Sequence, residues 1–260
     1  MCLFHLYLGE QKNMQQRHAQ YSELSNTCSD DTYEKMTSIF QPIGLIRSGI
    51  SEFDELIGGL PTGEISAFVG KSNLLSTILH RVCVNTFDMF QSSSLVLDAG
   101  NQLNPFLLAR LAQVNMLSSE MLLQQVHLSR IYTVYQLTDL LHTHVEPLIQ
   151  QVQPVTVVLT GLFSLLDDAD VSDAKKAQLL RTVMKQIREL TTRYQVAMML
   201  IDRHCTDYEG TVFDTLVDTM VTVQDMRHCP RMTITQKNQQ ITVTSETVGQ
   251  LCLHDFGMVI

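Results

Sequence analysis

The sequence is short of charged residues, of aromatic rings and of any long apolar run. Trp is absent and only 17% of the 260 residues are charged. No apolar run approaches the ~20 residues that a membrane-spanning helix needs. The apolar opening, Met1–Leu8, lacks the basic lead and small-residue cleavage site of a signal peptide. We therefore expect an intracellular protein of the cytoplasm or nucleus that has no membrane partner.

Cysteine pairs and an excess of basic residues are lacking too. The six cysteines are scattered along the chain without a Cys-x-x-Cys pair, which predicts reduced thiols. The chain has 27 acidic and 18 basic side chains, a net charge of −9. Proteins that grip nucleic-acid phosphates usually present a basic face. We expect DNA to be bound only weakly, or through a complex.

What is present is enough apolar sequence for one ordinary domain, since 45% of the residues are hydrophobic. The run from Glu10 to Lys35 differs from the rest and is rich in Gln, Ser, Asn and Asp. The sequence therefore predicts two parts. Residues 1–40 form a flexible or partner-docking arm, and residues 41–260 form the folded core.

The core has the pattern of an α/β fold. Short apolar runs alternate with segments of helical spacing, and the last part of the chain alternates with period two. This order predicts a mostly parallel central sheet flanked by helices, followed by antiparallel β-hairpins. The predicted buried strands are Ile65–Val69, Ser94–Asp98, Val155–Leu159 and Val196–Ile201; the predicted helices include Leu74–Phe87, Gln136–Gln151 and Ser172–Tyr194; the alternating segments are Thr219–Gln224, Met232–Gln236 and Gln240–Thr247.

Four segments carry a resemblance to a known superfamily. Ser48–Ile65, which reads SGISEFDELIGGLPTGEI, resembles the entry to the core of the RecA/RadA recombinases. Leu95–Pro105, Val126–Leu137 and Val155–Leu166 are similar, in the same order, to later core segments of that superfamily. The resemblance spans residues 43–258 and implies a RecA-like P-loop NTPase core.

The phosphate-binding loop of such a core requires the pattern G-x-x-x-x-G-K-[ST]. Its backbone N–H groups hold the phosphates, its Lys neutralises phosphate charge, and its Ser or Thr hydroxyl binds Mg²⁺. Here Gly70-Lys71-Ser72 follows the predicted strand directly, so the loop before Gly-Lys-Ser is missing. We expect these three residues to be a vestige, with Ser72 or Asn73 capping the next helix.

The resemblance also implies two acidic residues that this chain does not have. The place of the metal-binding aspartate at the end of the central strand falls to Thr160, and the place of the catalytic glutamate falls to Gly100, although Asp98 is retained. We therefore expect a pseudo-ATPase with no catalytic residue, metal or cofactor. Its vestigial nucleotide site consists of Gly70, Lys71, Ser72, Asp98, Gly100 and Thr160.

Two further groups of residues in the sequence are of types found in functional sites. The loop Asp167–Asp173 carries four acidic residues, which repel a phosphate backbone, so direct DNA strand exchange is not expected.

His and Cys residues near the C-terminus invite a zinc hypothesis, but their spacing fits no zinc finger and we expect ordinary buried or loop residues. These residues are His204, Cys205, His228, Cys229, Cys252 and His254.

The leading hypothesis is a degenerate, non-hydrolysing RadA-like paralogue that acts as a protein-interaction subunit in DNA recombination or repair. Its expected partner is a RecA/RadA-like recombinase or another paralogue, because domains of this superfamily stack head to tail. One alternative is an accessory subunit of an unrelated assembly, similar to the RecA-like Elongator subunits of tRNA modification. The other is a residual nucleotide-binding ATPase that a partner completes.

Overall fold

The computed structural model describes residues 44–167, 172–203, 215–225, 230–236 and 239–244. All of them belong to one compact unit, Gln41–Ile260. The predicted arm, residues 1–40, lies outside the described residues. Within the described part of the chain, no helix is both long enough and apolar enough to cross a membrane.

Ten strands and eight helices follow one another in the described residues, mostly in alternation. The first half of the chain forms β1 (Leu45–Ile46), α1 (Ser51–Ile57), β2 (Leu60–Pro61), β3 (Ile65–Val69), α2 (Leu74–Phe90), β4 (Ser94–Asp98), α3 (Pro105–Val114), α4 (Ser119–Gln125) and β5 (Val126–Arg130). The second half forms α5 (Val134–Thr143), α6 (Val145–Val152), β6 (Thr156–Thr160), α7 (Leu162–Leu166), α8 (Asp173–Tyr194), β7 (Ala197–Asp202), β8 (Thr219–Asp225), β9 (Pro230–Gln236) and β10 (Gln239–Thr244).

Eight of these strands form one sheet, in the order β10-β9-β8-β3-β7-β6-β4-β5. From β8 to β5 all neighbours are parallel. The strands β8, β9 and β10 pair antiparallel at the other edge. The predicted fold class, a mostly parallel sheet with C-terminal antiparallel strands, is confirmed.

The core lies on both faces of the sheet. Every residue of β3, β4, β6 and β7 is buried. Alternate residues of β3 point to opposite sides, so Phe68 packs with α2, α3 and α4, whereas Ile65 and Val69 pack with α5, α6, α7 and α8. Burial on both faces explains why these strands are continuous apolar runs without alternation.

One predicted helix was wrong. The periodicity predicted a single helix over Gln136–Gln151, but the structure has two helices, α5 and α6, that meet at His144. Pro147 has no N–H to donate to the carbonyl of Thr143, and its ring would clash with that carbonyl. The chain therefore ends one helix and begins another with the same amphipathic pattern.

Candidate functional site

Parallel strands bring their carboxyl ends to one edge of the sheet, where ligands of open α/β folds usually bind. At this edge lies a cleft of about 310 Å³. Its walls come from the first turn of α2 and from the segments that follow β4, β6 and β7. The lining residues are Ser76, Gly100, Asn101, Gln102, Gly161, Ser164, Asp202 and Arg203.

The turn between β3 and α2 has four residues, Gly70–Asn73. Gly70 has φ 139°, and a Cβ atom at this position would lie 1.9 Å from the carbonyl oxygen of Val223. Its N–H donates to the carbonyl of Asp202 at 3.0 Å. Only glycine fits here, since the backbone passes directly against β8 and β7.

Ser72 lies two residues before the first residue of α2, and Asn73 stands between them. Its Oγ accepts a hydrogen bond from the N–H of Leu74 at 3.1 Å, and its carbonyl accepts from Leu75 at 3.4 Å. These are N–H groups of the kind that bind a phosphate at a helix N-terminus. Asn73 makes no side-chain capping bond, and the side chain of Lys71 is exposed. Of the two residues expected as caps, Ser72 makes the bonds.

The bounds of β3 and α2 also allow a second register of the phosphate-binding motif. If Gly70 is its first glycine, the pattern G-x-x-x-x-G-K-[ST] reaches Leu75, Ser76 and Thr77. In this register the loop has its full length, but Leu and Ser stand where glycine and lysine are required. One part of the motif is therefore missing in either register: the loop in the first, the glycine and lysine in the second.

Asp98, at the end of β4, is fully enclosed by donors. Its carboxylate accepts hydrogen bonds from the Thr160 hydroxyl at 2.6 Å and from the N–H groups of Gln102 and Leu103, both at 3.0 Å. The guanidinium of Arg130, at the end of β5, lies 2.8 Å from the same carboxylate. A buried charge is tolerated when it is paired and hydrogen-bonded in this way. Asp98 thus holds the segment after β4 in place.

Thr160, Gly100 and Gly161 pack closely beside Asp98. The Thr160 hydroxyl donates to Asp98 and accepts from the N–H of Gly100 at 3.0 Å. A Cβ atom on Gly161, which has φ 72°, would lie 2.5 Å from the nitrogen of Gly100. A Cβ atom on Gly100 would lie 2.8 Å from Nε2 of Gln102. The backbones that follow β4 and β6 therefore lie directly against each other at Gly100 and Gly161. They do so next to Thr160, where the resemblance implies a metal-binding aspartate.

A family model decides which family this architecture belongs to. The model of the Rad51 family matches residues 41–239, well over half of the chain. The chain belongs to the Rad51 family. This confirms the RecA/RadA superfamily predicted from the four segments. A search of curated proteins found no match.

The fold of this Rad51-family chain brings most of the predicted site residues to the same sheet edge. Asp98, Gly100 and Thr160 are in direct contact. Gly70 and Ser72 lie in the neighbouring turn between β3 and α2, and Gly70 contacts β7 through Asp202. The six predicted residues therefore lie at or directly after the carboxyl ends of β3, β4 and β6; β4 and β6 are neighbours, and β7 lies between β6 and β3.

Sequence reasoning missed three residues of this Rad51-family site. Arg130 binds Asp98, and its Nη2 also donates to the carbonyl of Leu103 at 3.1 Å. Asp202 is buried at the end of β7 and accepts from the N–H of Phe163 at 2.7 Å. His80 is fully buried on α2. Asp202 ends a fully buried strand and Arg130 ends the partly buried strand β5, so a charged residue at the end of a strand was the available signal for these two.

A metal site finds no support in the described part of the Rad51-family core. Among those residues, no three His, Cys, Asp or Glu side chains come together as ligands. The six His and Cys residues considered for zinc lie outside the described residues. So does most of the predicted acidic loop, residues 168–171.

Proposed function

We propose that this Rad51-family chain has lost ATP hydrolysis and acts as a protein-interaction subunit in DNA recombination or repair. Its partner is a RecA/RadA-like recombinase or another paralogue, and DNA is reached through that complex. According to the resemblance, hydrolysing relatives hold a nucleotide and its metal at this site. Here the polar groups at the site form hydrogen bonds with one another instead.

The contact between Thr160 and Asp98 carries the proposal. A threonine hydroxyl is a neutral ligand, and this one already donates to Asp98 and accepts from Gly100. Asp98 in turn is engaged by four donors, so neither group is free to hold Mg²⁺ or to orient water. Phosphoryl transfer depends on a correctly placed metal and on charge stabilisation. The geometry supports a structural use of both residues.

The helix N-terminus beside the cleft adds to this support. Ser72 takes up two N–H groups of α2, and in the second register Leu75 is a fully buried core residue. A leucine side chain at this place fills the core and cannot give the close backbone approach that glycine allows. Lys71 is not among the residues that line the cleft.

Binding of Mg·ATP is the direct test. The melting temperature of the full chain is followed while Mg·ATP is raised to the millimolar range. A ligand present at 100 times its Kd stabilises by about 2.7 kcal/mol, which corresponds to roughly 5–10 °C in a domain of this size. We expect no shift for the native chain, and no release of phosphate under the same conditions.

Two variants make the result specific to the two registers. Lys71→Ala removes the lysine of the first register, and Ser76→Ala removes the cleft hydroxyl of the second. If ATP stabilises the native chain and one variant abolishes the shift, the site binds nucleotide through that residue and the pseudo-ATPase proposal fails. A Rad51-family recombinase with an intact motif serves as the positive control.

A further inference from the structure

His80 joins the two walls of the cleft. It lies on α2, one turn after Ser76, and is fully buried. Its Nδ1 lies 2.6 Å from the carbonyl oxygen of Ser76, and its Nε2 accepts a hydrogen bond from the N–H of Asn104 at 2.9 Å. Ser76 lines one wall of the cleft, and Asn104 ends the segment that forms another. The imidazole therefore ties α2 to the segment between β4 and α3.

The two partners fix the protonation state of the ring. A carbonyl oxygen only accepts, so Nδ1 must carry the proton that is donated to Ser76. An amide N–H only donates, so Nε2 must be unprotonated. His80 is thus neutral in the folded protein, and burial lowers its pKa below the ordinary value of 6.5.

A second proton on Nε2 would point at another donor, the N–H of Asn104. Of the charged groups around the ring, Asp98 at the end of β4 favours the protonated form, but Arg130 from β5 lies 2.8 Å from that carboxylate. On α2, the guanidinium of Arg81 donates to the carbonyl of Gly49. The first turn of α3, Pro105–Leu108, carries no charge.

We infer that His80 is a proton-sensitive tie across the cleft: in its neutral form it holds α2 against the segment that leads into α3, and on protonation it releases Asn104. Another hydrogen bond between these walls, from the Ser76 hydroxyl to the carbonyl of Gln102, is 3.5 Å long and therefore weak. The inference does not depend on whether the cleft binds nucleotide.

Hydrogen exchange of single backbone amides tests the tie. Protection factors are measured by NMR on the full chain from about pH 7.5 down to about pH 4.5, a range that extends below the ordinary histidine pKa because burial lowers the pKa of His80. The amide of Asn104 should lose protection about tenfold as the pH falls. The amides of Gln102 and Leu103 should keep theirs, because they donate to Asp98 and not to His80.

Two variants separate the tie from a general acid effect. His80→Gln offers an amide oxygen to Asn104 but does not titrate, so the pH dependence at Asn104 should vanish. His144→Gln, at an exposed position, should leave it unchanged. If His80→Gln does not fold, ¹⁵N shifts of the native imidazole decide. The inference fails if the ring stays neutral to about pH 4.5, if Asn104 keeps its protection while the ring is protonated, or if His80→Gln shows the same loss.

Discussion

Thr160 occupies the place where the resemblance implies a metal-binding aspartate, and its hydroxyl stabilises the fold instead. Its position between Asp98 and Gly100 joins the ends of β4 and β6, and it is completely buried. A hydrogen bond to a charged group contributes about 1.5–3 kcal/mol. Removal of the hydroxyl would leave the buried Asp98 carboxylate with one donor fewer, so the fold should be weakened.

We therefore expect Thr160→Val, which keeps the shape and removes the hydroxyl, to lower the free energy of unfolding by about 1–3 kcal/mol. Urea denaturation at constant pH measures this loss. Thr160→Ser retains the hydroxyl and should remain within about 1 kcal/mol of the native chain. A Val variant as stable as the native chain would show that the bond to Asp98 contributes nothing.

The N-terminus of α2 is an element whose start depends on one side chain. Ser72 is buried and accepts from Leu74, whereas its neighbour Asn73 makes no capping bond. We expect Ser72→Ala to cost about 1 kcal/mol, as other lost caps do. The matched change Asn73→Ala should cost only a few tenths of that amount. Thermal denaturation of both variants at one pH gives the comparison, and equal losses would contradict the assignment of the cap.

Helices and strands that follow from local sequence patterns were predictable, whereas features that depend on distant contacts were not. The buried strands β3, β4, β6 and β7 were readable as apolar runs because both faces are covered. The break at His144 was missed because the apolar period continues across it, although Pro147 was a visible signal.

The site was predictable only in part, for a related reason. Asp98, Gly100 and Thr160 were found through a resemblance, but the bond between Asp98 and Thr160 joins residues 62 positions apart. The bond between His80 and Asn104 spans 24 positions. A lone histidine on an apolar helix face carries no local sign of its partner, so sequence alone could not assign it a role.

For the molecule as a whole, charge argues against strong binding of DNA by this chain alone. Four basic side chains of helix α8 are paired with acidic ones: Lys176 with Asp173, Lys185 with Glu189, Arg188 with Asp218 and Arg193 with Glu146. With a net charge of −9, we expect a Kd for a single-stranded oligonucleotide weaker than about 10⁻⁵ M at physiological salt. Fluorescence anisotropy measures this, and tight binding that persists at 200 mM salt would contradict it.

Protein binding has better support at the edge of the sheet formed by β5. This strand pairs with β4 on one side, and in the described part of the chain no strand pairs with its other side. Beside this edge the side chain of Tyr132 is 76% exposed and that of Tyr135 50% exposed. A strand edge next to exposed aromatic rings is suited to the addition of a strand from another protein.

We therefore expect a Rad51-family recombinase to bind the full chain through this edge. Tyr132→Asp should weaken the complex at least tenfold, since it places a charge in an apolar contact. Met89→Asp, also at an exposed apolar residue but at the far end of α2, should leave the affinity unchanged. Sedimentation of labelled chain against increasing recombinase measures both affinities. A complex that loses affinity equally in the two variants places the contact elsewhere, and the absence of any complex contradicts the proposed partner.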